Sequence, residues 1–246
     1  MIEAHAQQER ASLRLRPLRI LDLGLIPYDE CWEMQRQIAE DVGRANAPET
    51  LLLLEHPHTF TCGKRGGREN IIAPPMELTA LGATVLDVDR GGDVTYHGPG
   101  QLVAYPIINL RKYGENIDYP AYVRRLEDVL FGTLASFEIS AGRVRFLSGA
   151  WYLGGDIPEK IAAIGVKVDG KGVTTHGIAL NVNTDLRFFN YIIPCGIRGK
   201  GVTSMSKLLG YEVDLNAVKL SFAQHFEHIF SFTHALQIAR DQNTGS

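Results

Sequence analysis

Apolar positions along the chain follow two periods, and the places where one gives way to the other mark its elements. Leu18 to Leu23 predicts a first strand, after which Ile26-Pro27 opens a helix with proline at an early position. Trp32, Gln35, Ile38, Ala39 and Val42 give that helix a partly apolar face with Cys31 beside it. Leu51 to Leu54 is fully apolar and predicts a buried strand ending at Glu55-His56-Pro57, with Thr59 to Cys62 as its hairpin partner. A short helix is expected over Pro75 to Leu81, and strands over Ala83 to Val88 and Leu102 to Ile108. Tyr119 to Phe137 carries Val123, Leu126, Val129, Leu130, Leu134 and Phe137 at helical spacing and is the clearest helix. Ser148 to Leu153, Ile161 to Val168 and Thr174 to Asn183 then predict consecutive antiparallel strands, the last two joined at Asp169-Gly170. Phe188 to Lys200 has the mixed character of a loop, and helices follow over Ser204 to Leu209 and Asn216 to Phe230. Two long helices split the strands without a regular βαβ rhythm. The expected class is therefore α+β, a mixed and mainly antiparallel sheet with flanking helices. Residues 1–17 are expected to be a disordered extension, 18–235 one domain and 236–246 a tail, with Leu209-Gly210 as the one internal break.

Two stretches fit neither period. Arg90 to Ile107, RGGDVTYHGPGQLVAYPI, sets Gly91-Gly92 and Gly98-Pro99-Gly100 beside Tyr96, His97 and Gln101. Glycine suits backbone that approaches another group closely or takes positive φ. The stretch is thus either a pair of tight turns or a rigid surface against which a ligand lies. Gly63 to Asn70, GKRGGREN, is glycine-rich and basic but lacks the spacing of a nucleotide-binding P-loop.

Composition narrows the classes further. The formal net charge of −3 and 22% charged residues give no global field for nucleic acid, and basic character is local to Lys64, Arg65 and Arg68 and to Arg198 and Lys200. Cys31, Cys62 and Cys195 cannot all pair, and they lack the spacing of a zinc site, so a reducing, cytoplasmic setting is expected. His56, His58 and Cys62 lack a fourth ligand, and no metal or other cofactor is expected. No apolar run approaches the roughly 20 residues of a membrane span, and the Arg-containing N-terminus has no secretory signal.

A cysteine nucleophile needs nearby positive charge or aimed N–H groups to hold its thiolate. Cys62 precedes Gly63-Lys64-Arg65, and Cys195 lies between Pro194 and Gly196 with Arg198 and Lys200 downstream. These residues alone do not separate the two decisively, although the proline and glycine around Cys195 favour a sharp turn that exposes the sulfur. Alternation in KIAAIGVKV places Lys160 on one face with Ala162, Ile164, Val166 and Val168, and Lys167 on the other. A lysine on an apolar face is either a desolvated proton carrier or a snorkelling strand end. His97 and His176, each followed by glycine, are expected to support turns, with a general base as the alternative.

RGGDVTYHGPGQLVAYPI, EKIAAIGVKV, THGIALNVNTDL and IIPCGI together resemble the lipoyl(octanoyl) transferases in order and spacing, from about Leu18 to Leu209. The resemblance implies a fold like that of the biotin and lipoate protein ligases, the class II aminoacyl-tRNA synthetase and biotin synthetase-like fold. It implies octanoyl transfer from octanoyl-acyl carrier protein to a lysine of lipoyl domains, those of 2-oxoacid dehydrogenase E2 subunits and of the glycine cleavage H protein. That transfer is the first step of endogenous protein lipoylation. By the same resemblance Cys195 is the nucleophile that becomes an acyl-thioester, and Lys160 lowers its pKa and relays protons. Arg90, Gly91, Gly92, Asp93, Val94, Thr95, Tyr96, His97, Ala163, Ile164, Gly165, Gly177, Ile178 and Ala179 match the acyl-substrate-binding segments. Ser148 to Tyr152, SGAWY, departs from the usual segment, and the Lys160 to His176 interval is one residue longer than in some members. An ATP-dependent lipoate or biotin ligase of the same fold is the alternative enzyme, and a non-catalytic module that binds carrier or lipoyl domains is the alternative outside catalysis.

Overall fold

The computed structural model describes residues 16–114, 116–193, 200–233 and 239–240. Strand β1 (Arg16–Leu25) runs into helix α1 (Tyr28–Gly43), entered through Pro27. Strands β2 (Glu49–Glu55) and β3 (Thr59–Cys62), helix α2 (Pro75–Ala80), and strands β4 (Thr84–Asp87), β5 (Thr95–His97) and β6 (Gln101–Ile107) follow. Helix α3 (Tyr119–Ala135) is started by Asp118, whose carboxylate accepts from the Ala121 N–H at 2.8 Å and satisfies a donor the helix itself leaves open. The chain continues through β7 (Ala141–Val144), β8 (Leu147–Tyr152), β9 (Glu159–Val168), β10 (Thr174–Asn181) and the two-residue β11 (Gly201–Val202). Helix α4 (Met205–Leu209) ends at Gly210, left-handed at φ 80°, which is the break visible in the sequence. Helix α5 (Leu215–Phe230) and the short β12 (Phe232–Thr233) and β13 (Ala239–Arg240) complete the described chain.

The main sheet has the order β12-β1-β2-β6-β10-β9-β8-β7, with β13 beside β1 and β11 beside β9. The β1–β2 pairing is parallel, and from β2 to β7 every neighbour is antiparallel, which gives the mixed, mainly antiparallel sheet expected. Both faces are covered, which is why β2 is apolar without alternation. Leu51 and Leu53 enter a core with Leu126, Val129 and Leu130 of α3 and Phe222 and Phe226 of α5. Leu52 and Leu54 enter a second core with Cys31, Ile38 and Val42 of α1.

One expected pairing is corrected. Thr59–Cys62 is not the hairpin partner of β2, because β1 and β6 already occupy both edges of that strand. His56 and Pro57 carry the chain away instead. His56 is fully buried, donates from Nδ1 to the Ile26 carbonyl at 2.7 Å and accepts from the Tyr105 hydroxyl at 2.9 Å. β3 then centres a small second sheet, parallel to β4 and antiparallel to β5, over a cluster of Phe60, Leu78, Tyr96 and Phe188.

Candidate functional site

Between the α1 face of the main sheet and the small sheet lies a cavity with about 840 Å³ of empty space, its solvent-open mouth included. One wall comes from three cross-strand pairs, Ala163 with Ala179, Ile164 with Ile178 and Gly165 with Gly177. The opposite wall is Arg90, Gly92, Asp93, Val94, Thr95 and His97. Two segments far apart in sequence thus face each other across one space. Arg90, 6% exposed, donates from its guanidinium to the Thr61 carbonyl at 2.7 Å and to the Thr61 hydroxyl at 2.9 Å. It can lie flat on the sheet because a Cβ at Gly165 would stand 3.0 Å from its Cδ. The remaining two residues of the stretch do not line the cavity. Gly91 ties the wall to β9 by donating to the Val166 carbonyl at 3.0 Å, and Tyr96 turns away to stack on Phe188.

Lys160 lies on the cavity side, and here strand alternation is corrected. Ala150 pairs with Ala162 and Trp151 with Lys160, so Ile161 is an extra residue on β9. Such a bulge shifts the side-chain phase by one. Ile161 and Ala162 both enter the helix-side core, and Lys160 joins Ala163 and Gly165 on the cavity face. Its Nζ stands over the Trp151 ring, 4.7 Å from the centroid. The bulge is held by β8: Gly149, at φ 105°, lies so close to the Ala162 carbonyl that any Cβ there would overlap it. The Gly149 N–H donates to the Glu127 carboxylate at 3.2 Å, and Arg143 grips the same carboxylate at 2.6 Å.

The deep end is polar and uncharged. Tyr28, His97, Tyr105 and His176 line it, none more than 5% exposed. Burial pushes the His97 and His176 pKa values below the ordinary imidazole range, the latter despite its bond to Asp89, and pushes both tyrosine hydroxyls up. The partners fix the tautomers. His176 donates from Nε2 to Asp89 at 2.7 Å and accepts from the Tyr28 hydroxyl at 3.1 Å. His97 donates from Nδ1 to the Gln101 amide oxygen at 2.8 Å, and Gln101 donates to Asn181 at 2.9 Å. Burial opposes the charge of Asp89, yet hydrogen bonds from Lys167 and His176 hold its carboxyl below the usual range. His176 keeps a left-handed backbone, φ 56°, rare for a residue with a Cβ.

Cys195 lies outside the described residues. Ile193, two positions before it, donates to the Asn70 carbonyl at 2.8 Å, and Asn70 in turn donates to Asp93 of the cavity wall at 2.9 Å. On the other flank Val202 pairs with Lys160. The other two cysteines are poor nucleophiles: burial pushes the Cys31 thiol up to about 12 and raises that of Cys62 as well, aided by Asp87. Ser148, from the SGAWY segment, lines the cavity, as do Tyr28, Tyr105, Asn181, Phe189 and Val202, which were not singled out in the sequence. Tyr105 falls on the same alternation as core positions of β6, and Tyr28 looks like any residue after a helix-starting proline, so neither carried a local signal.

A likeness to solved structures settles the class of fold. A chain from the archaeal lipoylation system of Thermoplasma acidophilum, a bi-partite lipoate protein ligase and its E2 lipoyl domain, superposes with a TM-score of 0.72 at 15% identity, covering 92% of this chain and 88% of that one. The fold is that of the lipoate protein ligases. Residues 27–227 match the Lipoyl protein ligase A/B catalytic domain. A protein of Roseiflexus sp. named octanoyltransferase is 45% identical over 94% of both chains, and one of Chloroflexus aggregans with the same name is 50% identical over 80% of this chain and 87% of its own. The chain belongs to the lipoyl protein ligase A/B catalytic domain family.

Proposed function

We propose that the chain transfers an octanoyl group from octanoyl-acyl carrier protein to a lysine of lipoyl domains through an acyl-thioester on Cys195. The placement of Lys160 on the cavity face, beside a wall that includes Ala163 and Ala179, is the observation that carries this reading. An alkyl chain gains by leaving water for such a surface, and a positive charge at its head favours a thiolate. In the first step the Cys195 thiolate attacks the thioester carbonyl, a new C–S bond forms, and the carrier's thiolate leaves with a proton from the Lys160 ammonium. In the second, the acceptor lysine amine attacks, gives its proton to the now neutral Lys160, and expels Cys195 as thiolate. Both steps close without ATP, since one thioester replaces another before the amide forms. Arg90, Gly92 to Thr95 and His97, with the pairs on β9 and β10, hold the acyl group in this reading. Acceptors are lipoyl domains of 2-oxoacid dehydrogenase E2 subunits and of the glycine cleavage H protein, and the setting is the cytoplasm. Among the described residues no helix is long and apolar enough to cross a membrane.

Intact-mass measurement after mixing with octanoyl carrier protein tests the proposal. The wild type and Cys62→Ser gain one octanoyl group, and Cys195→Ser gains none. An adduct that survives Cys195→Ser, or pyrophosphate release that requires free lipoate or biotin, would overturn it, the latter in favour of an ATP-dependent ligase.

A further inference from the structure

Trp151 is only 2% exposed, yet among the described residues its buried indole Nε1 has no hydrogen-bond partner. An unpaired buried N–H costs about 1–3 kcal/mol, and phenylalanine would fill the interior without that penalty. The ring face supplies what phenylalanine supplies less well. Lys160 Nζ stands 4.7 Å and Lys200 Nζ 5.8 Å from its centroid. Both lie within reach of cation–π attraction, which is strongest for tryptophan. Two ammonium groups repel each other, and a ring face shared by both offsets part of that repulsion. Lys160 is also the cross-strand partner of Trp151, brought to this face by the Ile161 bulge. Lys200 is the first described residue after the segment that carries Cys195. Of the other charged groups nearby, Glu159 is held by Lys207 at 2.8 Å, Asp93 accepts from Asn70, and Arg65 and Arg90 border the same cavity.

We propose that Trp151 is a positioning residue for Lys160, its indole face holding the Lys160 ammonium on the cavity side with Lys200 over the same ring, a paired positive site for the anionic sulfur of thioester exchange. This rests on the Cys195 thioester reading. It accounts for a tryptophan with an unpaired N–H among the described residues at a fully interior position: the edge is unfavourable and the face is used. The departure of SGAWY from the family's usual segment therefore touches the chemistry of the mouth.

The test is site-resolved alkylation of Cys195 by iodoacetamide as a function of pH, which needs no acyl donor. Lys160→Ala raises the midpoint by about one pH unit, as loss of an adjacent charge does. Trp151→Leu raises it by about half a unit, in keeping with the strength of a partly desolvated cation–π contact. Trp151→Phe raises it by less and leaves the Tm unchanged or higher, because the unpaired N–H is gone. Trp151→Leu with Lys160→Ala moves the midpoint by less than the sum of the two single shifts, because only the Lys200 contact is left to lose. A midpoint unmoved by Trp151→Leu or by Lys160→Ala, additive shifts in the double variant, or a Trp151→Phe shift matched by loss of Tm would each overturn the proposal. Failure of the parent reading shows separately, as wild-type protein that takes no octanoyl mass from the carrier protein while its alkylation profile still reports on the tryptophan.

Discussion

At the deep end of the cavity, Tyr28, His97, Tyr105 and His176 are buried and neutral, with their polar atoms turned onto one another and onto Asp89 and Gln101. At the mouth, Lys160, Arg65 and Asp93 are charged and lie within reach of solvent. The two ends solve one problem in opposite ways. A polar group kept from water must be paired within the protein, and a network paired in full has no charge left to offer a substrate. A charge that acts on a substrate must stay near water or near another charge, and it is then held by weaker, adjustable contacts such as a ring face. The deep end therefore fixes shape and the mouth supplies chemistry.

The largest test of this division is Gly149→Ala. The substitution places a Cβ against the Ala162 carbonyl at a left-handed φ of 105°, so β8 or the bulge must move. Lys160 would then swing toward the phase that simple alternation gives it, away from the cavity. Displacement by about 1 Å is enough to cost on the order of 10²-fold in rate. Octanoyl transfer measured on Gly149→Ala should fall by about that factor, while the pH dependence of unfolding, set by the deep end, keeps its shape. Equal damage to both would show that the two ends are not separable.

The bulge also marks where the sequence stopped being legible. β9 and β10 follow from their alternation and the Asp169-Gly170 turn, and α3 from its spacing, because those signals are local. The face of Lys160 does not, since one extra residue at Ile161 inverts it and nothing in KIAAIGVKV announces a bulge. Its cause is Gly149 on the next strand, held by Glu127 on a helix, which is a tertiary relation. The wall residues Ala163 to Gly165 and Gly177 to Ala179 were recognisable only through family resemblance, and the structure makes them cross-strand partners. Tyr28 and Tyr105 were lost among core positions for the same reason that β3 was given the wrong partner: local pattern says what is buried, not against what.

A smaller effect separates the ends by acid. His56, behind the deep end and bonded to Tyr105, has its pKa pushed by burial from 6.5 down to about 4. A histidine whose folded pKa lies below its unfolded value excludes a proton that the unfolded chain takes up. Its contribution is therefore complete above pH 6.5 and is lost as pH falls toward 4. His56 alone accounts for about 3 kcal/mol over that window, and His97 and His176 shift in the same direction. Urea unfolding should show stability dropping between pH 6.5 and 4, and His56→Gln should flatten that drop even where it lowers stability at neutral pH. An unchanged slope in His56→Gln would remove His56 as a source of that drop.

The smallest effect distinguishes two arginines of the loop after β3. Arg65 borders the mouth, whereas Arg68 is engaged through Nε and NH2 with Asp87 at 3.1 and 3.0 Å. An arginine already neutralised by a carboxylate adds little to the field met by an approaching partner, and both charges of that pair are exposed, so breaking it changes stability little. Arg65 is exposed at the cavity border, and if an acidic partner enters there its charge acts on the association rate and is screened by salt. Arg65→Ala should lower kcat/KM for octanoyl carrier protein about two- to fivefold at low ionic strength and by much less near 0.5 M salt. Arg68→Ala should leave kcat/KM near the wild-type value at both. Equal, salt-sensitive losses in the two variants would mean that the whole glycine-rich loop, rather than the mouth, meets the carrier.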